Sequence, residues 1–255
     1  MRGLWREISG LVLPVACGGC GRPRAELCED CRLDLSGGVP RRVRPVPEPA
    51  GLPVVHAAAP YENAVRAVLL AHKERGALGL AGALGMALAG AVRSGAEWSG
   101  ALRRARTVEP LLLVPVPSAR RAVAARGHDP MRRIALAAAA ELRRGGVPAR
   151  VVPVLRQRRV VADQVGLGAR QRQRNLAGAL TVVSGGGRLL ATGRAVLVDD
   201  LMTTGASLAE AARALDAECG RAPYGGGHAM AAPGSRQAAV VAVSPSAFEI
   251  NRNSL

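Results

Sequence analysis

Aromatic side chains are almost missing from this 255-residue chain, which has two Trp, two Tyr and one Phe. Its core must therefore be built from Ala, Val and Leu, and a 49% apolar content can supply one. The same scarcity weighs against a nucleic-acid surface built on base stacking. Lysine is rarer still: Lys73 stands alone. The formal net charge of +16 is thus an arginine surplus. Such a surplus favours phosphate-bearing partners, while a coding bias towards Arg and Ala accounts for it without any partner. No stretch reaches the roughly 20 apolar residues that a membrane helix needs. The apolar run Ile8–Ala16 leads to a cysteine, as a lipoprotein signal would, but it is short and Pro14 interrupts it. No export signal is read, and the expected location is cytoplasmic, where thiols stay reduced.

Cysteine is scarce but concentrated. Four of the five lie in Cys17-x2-Cys20-x7-Cys28-x2-Cys31, within a glycine-rich stretch. Two Cys-x-x-Cys knuckles can set four thiolates tetrahedrally around a structural Zn2+. Gly18, Gly19 and Gly21 permit turns that aim backbone N–H groups at sulfur. Nothing in residues 1–40 could build a core alone, so a metal would supply the folding energy. Two disulfides, a redox pair or an iron–sulfur cluster are the rival uses of the same spacing. Cys219 stands apart and is expected to be buried on a helix.

Residues 41–53 are rich in Arg and Pro, lack periodicity and read as a linker. Residues 54–255 then read as one α/β domain. Strands are expected at Val54–Ala59, Leu111–Val116, Arg150–Val154, Leu180–Val183, Ala195–Asp199 and Ala238–Val243. Helices are expected at Tyr61–Glu74, Leu78–Arg93, Met131–Arg144 and Ser207–Ala217. Loop is expected at Ser94–Thr107, and a flexible Gly/Pro/Ala insertion at Gly220–Arg236. Alternating strands and helices imply a mostly parallel sheet flanked by helices.

The most informative string runs from Ala195 to Ser207. An apolar strand delivers two carboxylates, Asp199 and Asp200, and then Thr203, Thr204, Gly205, Ala206 and Ser207 lead into a helix. Ligands of open α/β sheets bind at the carboxyl ends of strands. Backbone N–H groups at a helix start, helped by its dipole, hold phosphate, and Gly205 permits close approach. Carboxylates beside a phosphate need a different target, such as the 2′,3′-diol of ribose or a hydrated Mg2+. The order acid–acid–phosphate cradle therefore matches a ribose 5-phosphate. A plain Thr/Ser helix cap with solvated acids is the bland alternative.

This string resembles the fingerprint of type I phosphoribosyltransferases, and the chain as a whole is similar to the ComF family. Beyond the fingerprint the resemblance rests on Tyr61, Arg66 and Lys73, on the run Val114 to Arg120 with Arg126-Gly127, on Gln164, Leu167, Arg170, Arg174 and Asn175, and on the four-cysteine opening. It implies that Asp199 and Asp200 bind the ribose hydroxyls of phosphoribosyl pyrophosphate and that Thr203, Thr204, Gly205, Ala206 and Ser207 hold its 5′-phosphate. Pro117, Ser118, Ala119 and Arg120 would face the pyrophosphate, in a loop that often carries a strained non-proline cis peptide in related enzymes. Lys73 would reach phosphate or sit as a solvated helix end. Residues Gln157–Asn175 would form a hood, with Arg170 and Arg174 clamping pyrophosphate or lying on a solvated face. Asp199, Asp200, Lys73 and Arg170 are then the residues on which transfer would depend, with Mg2+ assisting.

The chain departs from the family pattern where His128-Asp129 replaces the usual Phe-Asn, and where Thr203 replaces an acid found in many purine-using members. The resemblance leaves two functions open. One is transfer of the phosphoribosyl group to an unidentified acceptor with release of pyrophosphate. The other is a competence protein that binds single-stranded DNA with the DNA-uptake machinery, phosphoribosyl pyrophosphate being its ligand or regulator. A regulator that kept the ligand site is a weaker third.

Overall fold

A computed structural model describes residues 16–98, 109–159, 169–220, 236–245 and 247. A six-stranded sheet runs β1 (Arg41–Val43), β2 (Val54–Pro60), β8 (Gln237–Val243), β7 (Arg194–Met202), β3 (Leu111–Pro115), β4 (Ala149–Val151). All neighbours pair parallel except β1, which runs antiparallel to β2. The central strands are continuous apolar runs because both faces are covered. Leu111, Leu113, Val196 and Val198 pack beneath α2 (Asn63–Glu74), α3 (Ala81–Trp98) and α5 (Pro130–Arg144). Leu112, Val114 and Leu197 face the other way, towards α8 (Ala206–Cys219).

The shortage of aromatics shows in how closely the helices approach. A Cβ built on Gly85 of α3 would collide with Ala137 of α5, so two small residues let these backbones nearly touch. Leu78–Ala96 is 19 residues long and apolar enough, by length and composition, to cross a membrane, contrary to the sequence expectation. In the fold Leu84, Leu88, Ala89 and Val92 of this stretch are fully buried against the sheet and α5. Helix α3 also continues to Trp98, where loop was expected from Ser94 to Thr107; residues 99–107 of that loop lie outside the described residues.

Three other expectations change. The segment read as a linker carries the edge strand β1, whose Val43 is buried, and so belongs to the sheet. The expected strand Arg150–Val154 stops at Val151, because Pro153 has no N–H to continue a ladder. Leu180–Val183 does not join the main sheet. Its core, β6 (Leu180–Val182), pairs antiparallel with β5 (Leu155–Gln157) in a separate two-stranded unit. The insertion read at Gly220–Arg236 has its residues 221–235 outside the described set, as has the tail from Phe248. Cys219, expected buried, is only half-buried at the end of α8, where Arg236 donates to its Sγ at 3.0 Å.

The cysteine module docks on the same core. Its helix α1 (Glu29–Ser36) inserts Leu35, fully buried, among residues of α2 and α3. A Cβ at Gly18 would meet Leu80 at 2.7 Å, so the module's first turn lies directly on the start of α3.

Candidate ligand site and cysteine centre

The connection after β3 leads to β4 on one side of the sheet, whereas β7 leads to β8 on the other. The crevice between β3 and β7 is therefore the topological switch point, where ligands of such sheets bind. Both loops singled out from sequence open there. Val116 donates its N–H to Val198 O at 2.9 Å, tying the start of the Pro117–Arg120 loop to β7. Pro117 and Ser118 are half-buried, Ala119 is exposed, and α4 (Arg120–Arg126) starts at Arg120. Among the described residues the only cis peptide is Val46–Pro47, so the Pro117–Arg120 loop carries no non-proline cis bond.

Strand β7 runs three residues past the expected end, to Met202, and presents Asp199 and Asp200 near its tip. Asp200 N donates to Asp199 Oδ1 at 2.9 Å. Lys73 Nζ, from the last turn of α2, donates to Asp200 Oδ2 at 2.7 Å, across 127 residues of chain. The lone lysine thus contacts a carboxylate rather than lying solvated at a helix end. Burial, then the Asp200 charge, push the Asp199 carboxyl up to about 8, with Lys73 pulling the other way. Burial alone would depress the Lys73 ammonium, but the Asp200 charge outweighs it and holds Lys73 above its ordinary value.

The phosphate-type loop follows at once. Gly205 takes φ 75° and ψ −1°, a left-handed conformation that favours glycine, and opens α8 without any side-chain cap. The N-cap position therefore offers the first-turn N–H groups no side-chain acceptor. Thr203 is exposed, Thr204 and Ser207 are half-buried, and Ala206 is buried. Behind the loop lies the former linker: a Cβ on Gly205 would sit 2.9 Å from Leu52 and 3.4 Å from Pro45. Pro45, Val46 and Pro47 close a cavity of about 70 Å³ with Thr203, Thr204, Ser244 and Ala247. Sequence reading missed this strap, because prolines without periodicity look alike in a linker and in a packed loop.

The segment Gln157–Asn175, expected as a hood, starts at the end of β5 and carries most of α6 (Ala169–Leu176), with β6 following; its residues 160–168, including Gln164 and Leu167, lie outside the described set. Arg170 lies in the first turn of α6, and Arg174 is exposed. Among the described side chains, Arg172 is an arginine that reaches the loop: its Nη1 donates to Thr203 Oγ1 at 3.0 Å. Two groups of α8 fix the hood's other edge. Glu210 Oε1 accepts from Leu180 N at 2.9 Å, and Arg213 Nη2 donates to Leu180 O at 3.0 Å. Burial raises the Glu210 carboxyl, but Arg213 and the Leu180 and Gly178 N–H groups outweigh it, leaving the group below its ordinary range. The ionised anchor thus adds stability that is present above pH ~4.5 and is lost as pH falls through the depressed value. Replacing Glu210 with Ala strands a buried N–H and is expected to cost about 2 kcal/mol in urea unfolding at pH 7; an unchanged midpoint would contradict the anchor.

The unusual His128-Asp129 corner also has a structural account. Asp129 caps α5 by accepting from Arg132 N at 3.1 Å, with Pro130 in the first turn. The His128 ring stands edge-on to His72, with centroids 6.2 Å apart. Glu74 meanwhile takes a two-pronged contact from Arg126, at 3.1 and 2.6 Å. His72, Lys73 and Glu74 thus tie the end of α2 to the corner between α4 and α5 and to β7.

The four cysteines converge as their spacing suggested. Their Sγ atoms all lie within 4.8 Å of one another, and Cys20 Sγ is 3.6 Å from Cys28 Sγ. Tetrahedral Zn–S bonds of ~2.3 Å would place sulfurs ~3.8 Å apart, so the cluster is compatible with structural zinc. All are free thiols, and Cys17, Cys28 and Cys31 are buried. Burial raises the Cys17 thiol, but the N–H groups of Cys28, Cys20 and Gly19 outweigh it and bring it down to about 6. Burial and its thiol neighbours push Cys31 up. A Cβ on Gly19 would lie 2.6 Å from Cys31 Sγ, so the knuckle closes only over glycine.

Comparison with protein-family models and with curated proteins finds no match to the chain.

Proposed function

We propose that this protein binds phosphoribosyl pyrophosphate with Mg2+ and is a phosphoribosyltransferase-like protein of the ComF type. The observation that carries the reading is one run of backbone: the half-buried Asp199 and the buried Asp200, braced by Lys73, followed within five residues by left-handed Gly205 and the uncapped start of α8. Acceptors for a diol and donors for a phosphate are thereby set side by side in the β3/β7 crevice. The 5′-phosphate would lie on Thr203–Ser207, the ribose hydroxyls on Asp199 and Asp200, and the pyrophosphate towards Pro117–Arg120.

The donor set suits magnesium, because both carboxylates keep an oxygen not used in the contacts above and hard oxygen ligands are what the ion prefers. When bound, Mg2+ would neutralise charge on a departing pyrophosphate. The residues' own part is to orient the ribose so that C1 faces an incoming nucleophile. Lys73 holds the Asp200 carboxylate in place for that task. At the other end of the chain, the cysteine centre would hold Zn2+ through Cys17, Cys20, Cys28 and Cys31 as a structural ion, since all four positions are taken by protein.

The test is thermal: phosphoribosyl pyrophosphate at about a hundredfold over its Kd should add about 2.7 kcal/mol to stability, several degrees in Tm, and only with Mg2+ present. A midpoint indifferent to this ligand at millimolar concentration would reject the reading.

A further inference from the structure

We infer that Arg172 is a phosphate-binding residue that donates to the ligand's 5′-phosphate and so ties the hood to an occupied loop. The inference rests on the ligand reading above and extends it to a residue that neither spacing nor resemblance singled out.

Three observations converge. First, α6 holds the Arg172 guanidinium against the loop itself, with Nη1 3.0 Å from Thr203 Oγ1. Second, its donors are underused. A guanidinium carries five N–H groups, and here Nε is buried without any partner while no carboxylate among the described residues pairs with the side chain. An unpaired buried donor is costly unless something accepts from it. Third, two other cations beside the site already sit on carboxylates. Lys73 sits on Asp200 at 2.7 Å and Arg126 on Glu74 at 2.6 Å. The loop can offer a phosphate dianion hydroxyls and backbone N–H groups, but these carry no full positive charge. Arg172 supplies that charge from α6, and its planar fork can reach two phosphate oxygens at once. Thr203 then acts as a parking acceptor, which the phosphate replaces.

The experiment uses the full chain with its metal. Ribose 5-phosphate and inorganic pyrophosphate are titrated separately, with Mg2+, into wild type, Arg172→Gln and Arg172→Lys. Loss of a charged hydrogen bond should weaken ribose 5-phosphate about ten- to a hundredfold in Arg172→Gln, with pyrophosphate affinity within about twofold. Arg172→Lys should recover part of the loss, because it restores charge but not the fork. Unchanged Tm in both variants identifies the effect as binding; should Arg172→Gln fail to fold, Arg172→Lys alone must still show a loss confined to ribose 5-phosphate. Equal ribose 5-phosphate affinity in wild type and variants overturns the inference and leaves the ligand reading intact. A loss confined to pyrophosphate overturns it as well, by placing Arg172 at the other end of the ligand. Wild type that binds neither compound overturns the ligand reading, and the inference with it.

Discussion

Cys31→Ser should strip the protein of its metal and lower its stability by about 4 kcal/mol, or roughly 10 °C in Tm. The expectation follows from where the knuckle lies. Cys31 is 3% exposed and faces Gly19 so closely that no other residue fits there. Three thiolates cannot close a tetrahedral site, and on the proposed reading the metal would supply the folding energy of a segment with almost no apolar interior of its own. The damage does not stay local. Leu35 is fully buried in the main core, and Gly18 rests on Leu80, so an unfolded module exposes α2 and α3. Burying a leucine is worth about 2 kcal/mol, and the helix faces it covers add the remainder. Metal analysis and thermal unfolding on the same sample decide the point. One zinc per chain in Cys31→Ser, or an unchanged Tm, would show that the thiols are packing groups only.

Replacing Lys73 with Met should destabilise the fold by about 3 kcal/mol at pH 8, and by much less at pH 5. Met keeps most of the length of the side chain and removes its charge. Asp200, 7% exposed, then lies beside Asp199 with no cation, and breaking such a pair leaves an uncompensated buried charge. The pH dependence has a definite sign. A carboxyl whose folded pKa lies above its unfolded value, as Asp199 does at about 8, binds its proton more tightly in the folded state. Stability therefore falls as pH rises from about 4 to about 8, and removing Lys73 deepens that fall. Adding Asp200→Asn to Lys73→Met should restore most of the loss, since the charge left stranded is gone. Urea unfolding of the four proteins completes a double-mutant cycle. A deficit that is the same at both pH values, or that Asp200→Asn does not repair, would mean that Lys73 acts only through its hydrocarbon stem.

The parts of the site that were legible in sequence are those that a few consecutive residues encode. Ala195–Asp199 announces a buried strand, because a parallel sheet covered on both faces tolerates an unbroken apolar run. Gly205 announces the turn into α8, because that turn needs a positive φ. The cysteine knuckles were legible for the same reason. What escaped depends on partners far apart in the chain. Lys73 and Asp200 are separated by 127 residues, and nothing near either one names the other. Arg172 lies in a polar, arginine-rich helix with no apolar stripe, where Arg170, Arg172 and Arg174 look equivalent until the fold turns one of them towards Thr203. Three-residue strands such as β5 and β6 carry too little pattern to say which sheet they join. The strap at Pro45–Pro47 was missed because its packing comes from proline rings rather than from a period.

The central claim is that Asp199, Asp200 and the Thr203–Ser207 loop form one ligand site. Titration calorimetry of phosphoribosyl pyrophosphate with Mg2+ into wild type and into Asp199→Asn/Asp200→Asn tests it most directly. Binding on the order of micromolar in wild type, lost in the double variant while its fold and metal content are retained, is the predicted result. Equal binding in both proteins, or none in wild type, would contradict it.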